Sequence, residues 1–162
     1  MQSKSHTGIT GKARQSLVRI LDYVLKEECF LLATTRDYRW NVTGPNLYSL
    51  HRLFDEQRRQ LDYWLDLVVE RAKSIGLSKR GLEKKARRTE PAKTGTRLPA
   101  RSMIGDLVAR HERIAGHLRD DIARLPDRAT AELLQRLLEF HETTAWMLRM
   151  VHNGPGADPT AA

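Results

Sequence analysis

Apolar residues recur at helical spacing through four stretches of this chain, and the breaks between them set its organisation. In the first stretch, Leu17, Ile20, Leu21, Val24, Leu25, Glu28, Leu31 and Leu32 keep the three-four rhythm of one helix face. This run extends from Ser16 to about Asn41 and stops at Gly44-Pro45, where a helix cannot continue. A second helix is predicted after Pro45, with Asn46 as its N-cap and an end near Gly76. Its apolar positions are Leu47, Leu50, Phe54, Leu61, Trp64, Leu65 and Val68. A third runs from about Ser102 to Leu125, with Ile104, Leu107, Val108, Ile114 and Leu118 inward, and Pro126 stops it. The fourth, from about Arg128 to His152, carries Leu133, Leu134, Leu137, Leu138, Trp146, Leu148 and Val151. Residues 77–100 break the period, although Gly81 to Arg88 can form a short helix, and nothing competes as a strand.

Four long helices with one long connection between the second and third predict an all-α, up-down-down-up bundle, which is ferritin-like connectivity. A chain of 162 residues fits one domain with a continuous core. The expected division is a flexible basic tail over 1–14, the bundle over 15–153 and a disordered tail over 154–162. No stretch reaches the length and apolarity of a membrane span, and the polar N-terminus lacks the apolar segment of a secretory signal. A cytoplasmic location follows as the expectation. The single cysteine, Cys29, excludes an internal disulfide framework, and its apolar flanks predict a buried small hydrophobe.

The second helix carries a polar stripe. At 100° per residue, His51, Asp55, Asp62, Asp66 and Glu70 fall within a sector of about 100°, well away from the apolar face of the same helix. A solvated face is one reading. The spacing offers another, because His51 with Asp55 and Asp66 with Glu70 are two i, i+4 pairs, each able to reach one ion. The pairs lie roughly 16 Å apart along the axis, too far for one helix to use both on one metal. A second copy placed antiparallel across a two-fold axis sets His51 opposite Glu70 and Asp55 opposite Asp66, since both index pairs sum to the same value. Two identical mixed sites then form between subunits. Imidazole with carboxylates suits iron or manganese.

A formal charge of +8 favours an anionic partner, nucleic acid above all. The cations gather in the N-terminal tail (Lys4, Lys12, Arg14) and in the 79–101 connection, which includes Lys79, Arg80, Lys84 and Lys85. There is no base-reading motif, so contacts would go to phosphates.

The run Tyr38-Arg39-Trp40-Asn41-Val42-Thr43-Gly44-Pro45, followed by Leu50-His51 and Phe54-Asp55, resembles the signature of the Dps family, or miniferritins. Asp66 and Glu70-Arg71 match its continuation, and His141-Glu142-Thr143-Thr144-Ala145-Trp146-Met147-Leu148-Arg149 is similar to its closing helix. The resemblance spans about residues 15–152. It implies a hollow dodecameric cage that oxidises Fe²⁺ with hydrogen peroxide, stores the ferric product and shields DNA without sequence preference, in the cytoplasm and in association with the nucleoid. It also implies that His51 and Asp55 form the ferroxidase site with Asp66 and Glu70 of a neighbouring subunit. The resemblance further implies that Trp40 stands beside that site, in a radical-quenching or core-packing role, and that Asp120, Asp121 and Asp127 line an acidic iron-entry pore, the other reading being solvated charges of the turn. One position departs from the pattern: where the family has its first histidine ligand, this chain has Arg39, which has no lone pair for a metal. Either Arg39 turns outward and His51, Asp55, Asp66 and Glu70 hold iron more weakly, or it closes the site by an intersubunit ion pair with the carboxylates and the ferroxidase is lost. His111, His117 and His141 lack the Glu-x-x-His spacing of an interior di-iron site and are expected to be hydrogen-bonded or surface histidines.

Overall fold

A computed structural model of the chain describes residues 8–9, 11–77 and 98–154. They form α1 (Gly11–Asn41), α2 (Leu47–Ser74), α3 (Ala100–Ile122) and α4 (Arg128–Asn153), with no strand among the described residues. The first two helices pack along each other, as do the last two; the two hairpins then join through α1 against α3 and α2 against α4. Leu17, Leu21, Leu31, Phe54, Leu61, Val68, Leu107, Ile114, Leu134 and Leu148 fill the centre. Each sits on the face that the three-four rhythm marked, so burial of that face is what holds helices of this length together.

The helix limits follow local chemistry. At the end of α2, Gly76 takes φ +93°, a left-handed conformation that glycine adopts without strain. The amide of Leu77 then donates to the carbonyl of Ala72 (2.9 Å), satisfying an orphan acceptor of the last turn. Asn46 occupies the N-cap position of α2, but its side chain makes no capping hydrogen bond. Asp127 does cap α4, accepting from the backbone amide of Thr130 at 2.8 Å.

Three expectations need correction. Helix α1 begins at Gly11 rather than near Ser16, so Lys12 and Arg14 belong to its first turns and not to a tail. Lys, Ala, Arg and Gln there are good helix formers, but the turn carries no apolar period by which the spacing could have marked it. Trp146 and Val151 lie outside the core, 60% and 40% exposed, because the buried face of α4 runs through Leu137, Leu138, His141, Thr144, Ala145 and Leu148. Leu47 is likewise exposed at the start of α2. The short helix over 81–88, the cations Lys4, Lys79, Arg80, Lys84 and Lys85, and nearly all of the C-terminal tail lie outside the described residues.

Asp127 also joins α2 to α4, through Arg71. The Arg71 guanidinium donates to the Asp127 carboxylate and, at 2.9 Å, to the Thr130 hydroxyl. Burial pushes the Asp127 carboxyl up, but the Thr130 side chain, the Thr130 amide and Arg71 together hold it below its usual range. Losing the cap and the ion pair together, Asp127→Ala should cost about 2 kcal/mol in urea unfolding. Asp127→Asn, which retains an acceptor for Thr130, should cost about half of that. Equal effects would show that the cap contributes nothing.

Candidate metal centre

On α2, Leu50, Phe54, Leu61, Val68 and Ala72 point into the bundle. The stripe lies on the other side: His51, Asp55 and Asp62 are half-buried, and Asp66 and Glu70 are exposed. Among the described residues, no three His, Cys, Asp or Glu side chains converge within the subunit to hold a metal. Asp66 and Glu70 make no ion pair among the described residues, whereas Asp62 is held by Arg58 at 2.8 Å.

Arg39 reaches the stripe from the last turns of α1. Its Nε lies 3.3 Å from Asp55 Oδ1. Two further guanidiniums share that carboxylate, Arg58 and Arg59, each at 3.5 Å. Beside them opens a cavity of about 380 Å³ lined by Arg39, Leu47, Tyr48, His51, Arg52, Asp55 and Arg59. Within the subunit, Arg39 therefore lies against Asp55. The remaining donors fit iron in kind, being an imidazole and three carboxylates. A guanidinium already neutralises Asp55, however, so a metal ion arriving there competes with Arg39. Trp40 is 67% exposed, with the Arg36 guanidinium 5.7 Å from its ring centre, and it does not pack in the subunit's own core.

The ferritin-like domain model matches residues 18–154. An uncharacterized low temperature-induced protein of Nostoc is 34% identical over 160 residues, covering 94% of this chain and 88% of that protein. The DNA protection during starvation protein of Brevibacillus brevis is 30% identical over 122 residues, covering 73% of this chain and 82% of that one. The chain belongs to the Dps family of ferritin-like proteins. Its fold agrees with a solved Dps protein from Bacillus brevis at a TM-score of 0.76 and 26% identity, over 88% of this chain and 98% of that one. The Dps-type bundle expected from the sequence is therefore the one observed.

The other sequence candidates fall in different places. Asp120 is exposed at the end of α3 and Asp121 is half-buried, its carboxyl pushed up by burial although His117 and Arg124 oppose the shift. Asp127 is committed to Thr130 and Arg71, which leaves it poorly available to a passing ion. Lys12 is exposed, while the Arg14 guanidinium donates to the Gly76 carbonyl at 3.5 Å. Cys29 is buried and its thiol is pushed up to about 11 by that burial, then by Glu28, so it is unreactive as expected.

One feature of Dps-domain interior chemistry escaped the sequence reading. Glu28, His141 and His111, from α1, α4 and α3, are all fully buried. His141 Nε2 lies 2.7 Å from Glu28 Oε1, and the two imidazoles meet Nδ1 to Nδ1 at 2.8 Å. Only one of those two Nδ1 atoms can donate. Burial first, then His141, holds His111 well below its ordinary pKa. His111 Nε2 and Glu28 Oε2 are buried without a hydrogen-bond partner. These histidines are hydrogen-bonded, as expected, but they form one chain linking three helices.

Proposed function

We propose that this chain is the subunit of a closed Dps-type cage, a dodecamer, that oxidises Fe²⁺ with hydrogen peroxide, retains the ferric product and covers DNA without reading its sequence. The observation that carries this reading is the pair His51 and Asp55 on the outer face of α2, with Asp66 and Glu70 continuing the same stripe. Among the described residues no subunit completes a site alone, and a two-fold copy would supply the missing carboxylates. Iron is the substrate and cargo. Two ferrous ions give one electron each to a peroxide, which takes up two protons and leaves as two waters. His51 and Asp55 would bind the ion from one subunit, and Asp66 and Glu70 from its neighbour. Relatives named for DNA protection during starvation support the DNA part, as does the charge of +8. A cytoplasmic, nucleoid-associated location fits that role, and no helix among the described residues is long and apolar enough to cross a membrane.

A second reading, a DNA-covering cage with a muted ferroxidase, is favoured by the Arg39–Asp55 ion pair. Peroxide-driven Fe²⁺ oxidation by the native protein and by Arg39→His separates the two. The Arg39–Asp55 contact is a partly exposed ion pair, worth about 0.2–1 kcal/mol, so releasing Asp55 should by itself tighten iron binding up to about fivefold, and the new imidazole should add to that gain. The variant should oxidise iron faster, and Asp66→Ala with Glu70→Ala should abolish tight binding in both. If the native protein only matches a protein-free control while Arg39→His turns over, the enzyme reading fails and the muted cage stands. For DNA, the full chain should retard duplexes of unrelated sequence equally in a gel at low salt. It should release them at moderate salt, earlier when residues 1–14 are removed. No retardation at either salt would end that part of the reading.

A further inference from the structure

The outer face of α2 is electrically split. Its N-terminal half carries Arg52, Arg58 and Arg59 and receives Arg39 from α1, whereas its C-terminal half carries Asp62, Asp66 and Glu70. In the cavity at the N-terminal half, three guanidiniums and His51 face a single carboxylate, Asp55. That carboxylate is already divided among Arg39, Arg58 and Arg59. Arg39 Nε is buried yet has no hydrogen-bond partner within the subunit, since its approach to Asp55 brings the charges together without a bond. Donors are in excess at this end, and at the other Asp66 and Glu70 make no ion pair among the described residues. Tyr48 and Tyr63 are also well exposed on this face.

Antiparallel pairing of α2 with a second copy matches the two halves. The axis that sets His51 against Glu70 and Asp55 against Asp66 also sets Arg59 against Asp62. Tyr63 lies close to that axis, where it can shield the contact from water. We propose that the occupant of the arginine-lined cavity is the acidic half of α2 from a second copy, so that Arg39 takes the place of a metal ion at the two-fold contact. This rests on the cage reading above, and it specifies what holds the cage at that contact. A guanidinium is charged at every accessible pH and offers five donors in a plane, enough to join Asp55 of its own chain to the partner's Asp66 or Glu70. Two such bridges form per dimer, and they close without any ion. Iron enters only by displacing Arg39, so assembly comes first and metal binding competes with it.

Native mass spectrometry of the full chain, which resolves dimers from other species, tests the idea. Native assemblies should persist unchanged in EDTA. Arg39→Glu and Asp66→Arg should each weaken the dimer contact at least about tenfold. The double variant Arg39→Glu with Asp66→Arg should restore it, because the pair is rebuilt with reversed polarity. Circular dichroism checks that each variant folds; should Arg39→Glu fail, Arg39→Gln keeps the bulk, loses the charge and should dissociate at lower salt than the native protein. Dimers lost in EDTA and regained with Fe²⁺ would overturn the inference, as would single variants that fold and assemble like the native chain. A native chain that stays monomeric at every salt concentration would instead overturn the cage reading itself.

Discussion

Glu28→Ala should destabilise the subunit by about 3–5 kcal/mol, more than replacing all three members of its buried chain by apolar residues. The reason is the asymmetry between leaving a buried polar group unpaired and removing it altogether. Glu28 is fully buried and lies 2.7 Å from His141 Nε2. Truncation strands that nitrogen in the buried core beside Phe140. The unmet desolvation of the imidazole then adds to the cavity left by the side chain. In the triple variant Glu28→Leu, His111→Leu and His141→Leu no polar group remains to be satisfied, and the volumes stay close to those of the originals. Its cost should fall below that of the single substitution. Urea unfolding of the three single variants and the triple at fixed protein concentration gives the comparison. A triple variant weaker than Glu28→Ala would mean that the chain stabilises the fold outright.

That chain also marks the limit of what the sequence allowed. Most of the fold was legible, because apolar spacing in Leu17 to Leu31 or Leu133 to Leu148 needs only helical geometry, and the helices formed where the rhythm ran. Glu28 sat in register on the apolar face of α1, but spacing alone gives a buried carboxylate no partner. His141 and His111 are 113 and 83 residues further along, and only the packing of α1 against α3, and of α3 against α4, brings them together. The outer stripe was readable for the opposite reason, since all its members share one helix. What stayed open was the rotamer of Arg39, which depends on the angle between α1 and α2 and so lies beyond any one-helix argument. The misplacement of Trp146 has a similar origin. Its apolar character fits a core, but its position on α4 faces away from the bundle, and an exposed tryptophan on a family cage subunit is not explained by the subunit's own packing.

Acid should weaken this protein in a window set by His111. Its pKa in the fold lies well below the ordinary 6.5, through burial first and the neighbouring His141 second. Above 6.5 the imidazole is neutral in both the folded and the unfolded chain, so it adds no pH dependence. Below 6.5 the unfolded chain takes up a proton that the folded chain refuses. Stability therefore falls as pH falls, with a slope approaching about 1.4 kcal/mol per pH unit, until the folded value is reached. The refusal has a geometric cause. With one proton shared across the 2.8 Å contact between the Nδ1 atoms, a second proton must go to His111 Nε2, which is buried and has no acceptor. Asp127 acts in a separate window: its lowered carboxyl protects stability above the usual carboxylate range, and that contribution is lost only below pH 3.8. Urea midpoints measured between pH 7.5 and 5 should therefore decline in the native protein. His111→Asn, which keeps an amide near the Nδ1 position but cannot titrate, should start lower at pH 7.5 and decline less. The exposed or half-buried His51, His117 and His152 are common to both proteins, so the difference between the two slopes belongs to the coupled His111–His141 pair. Equal slopes would assign the acid sensitivity to those other histidines.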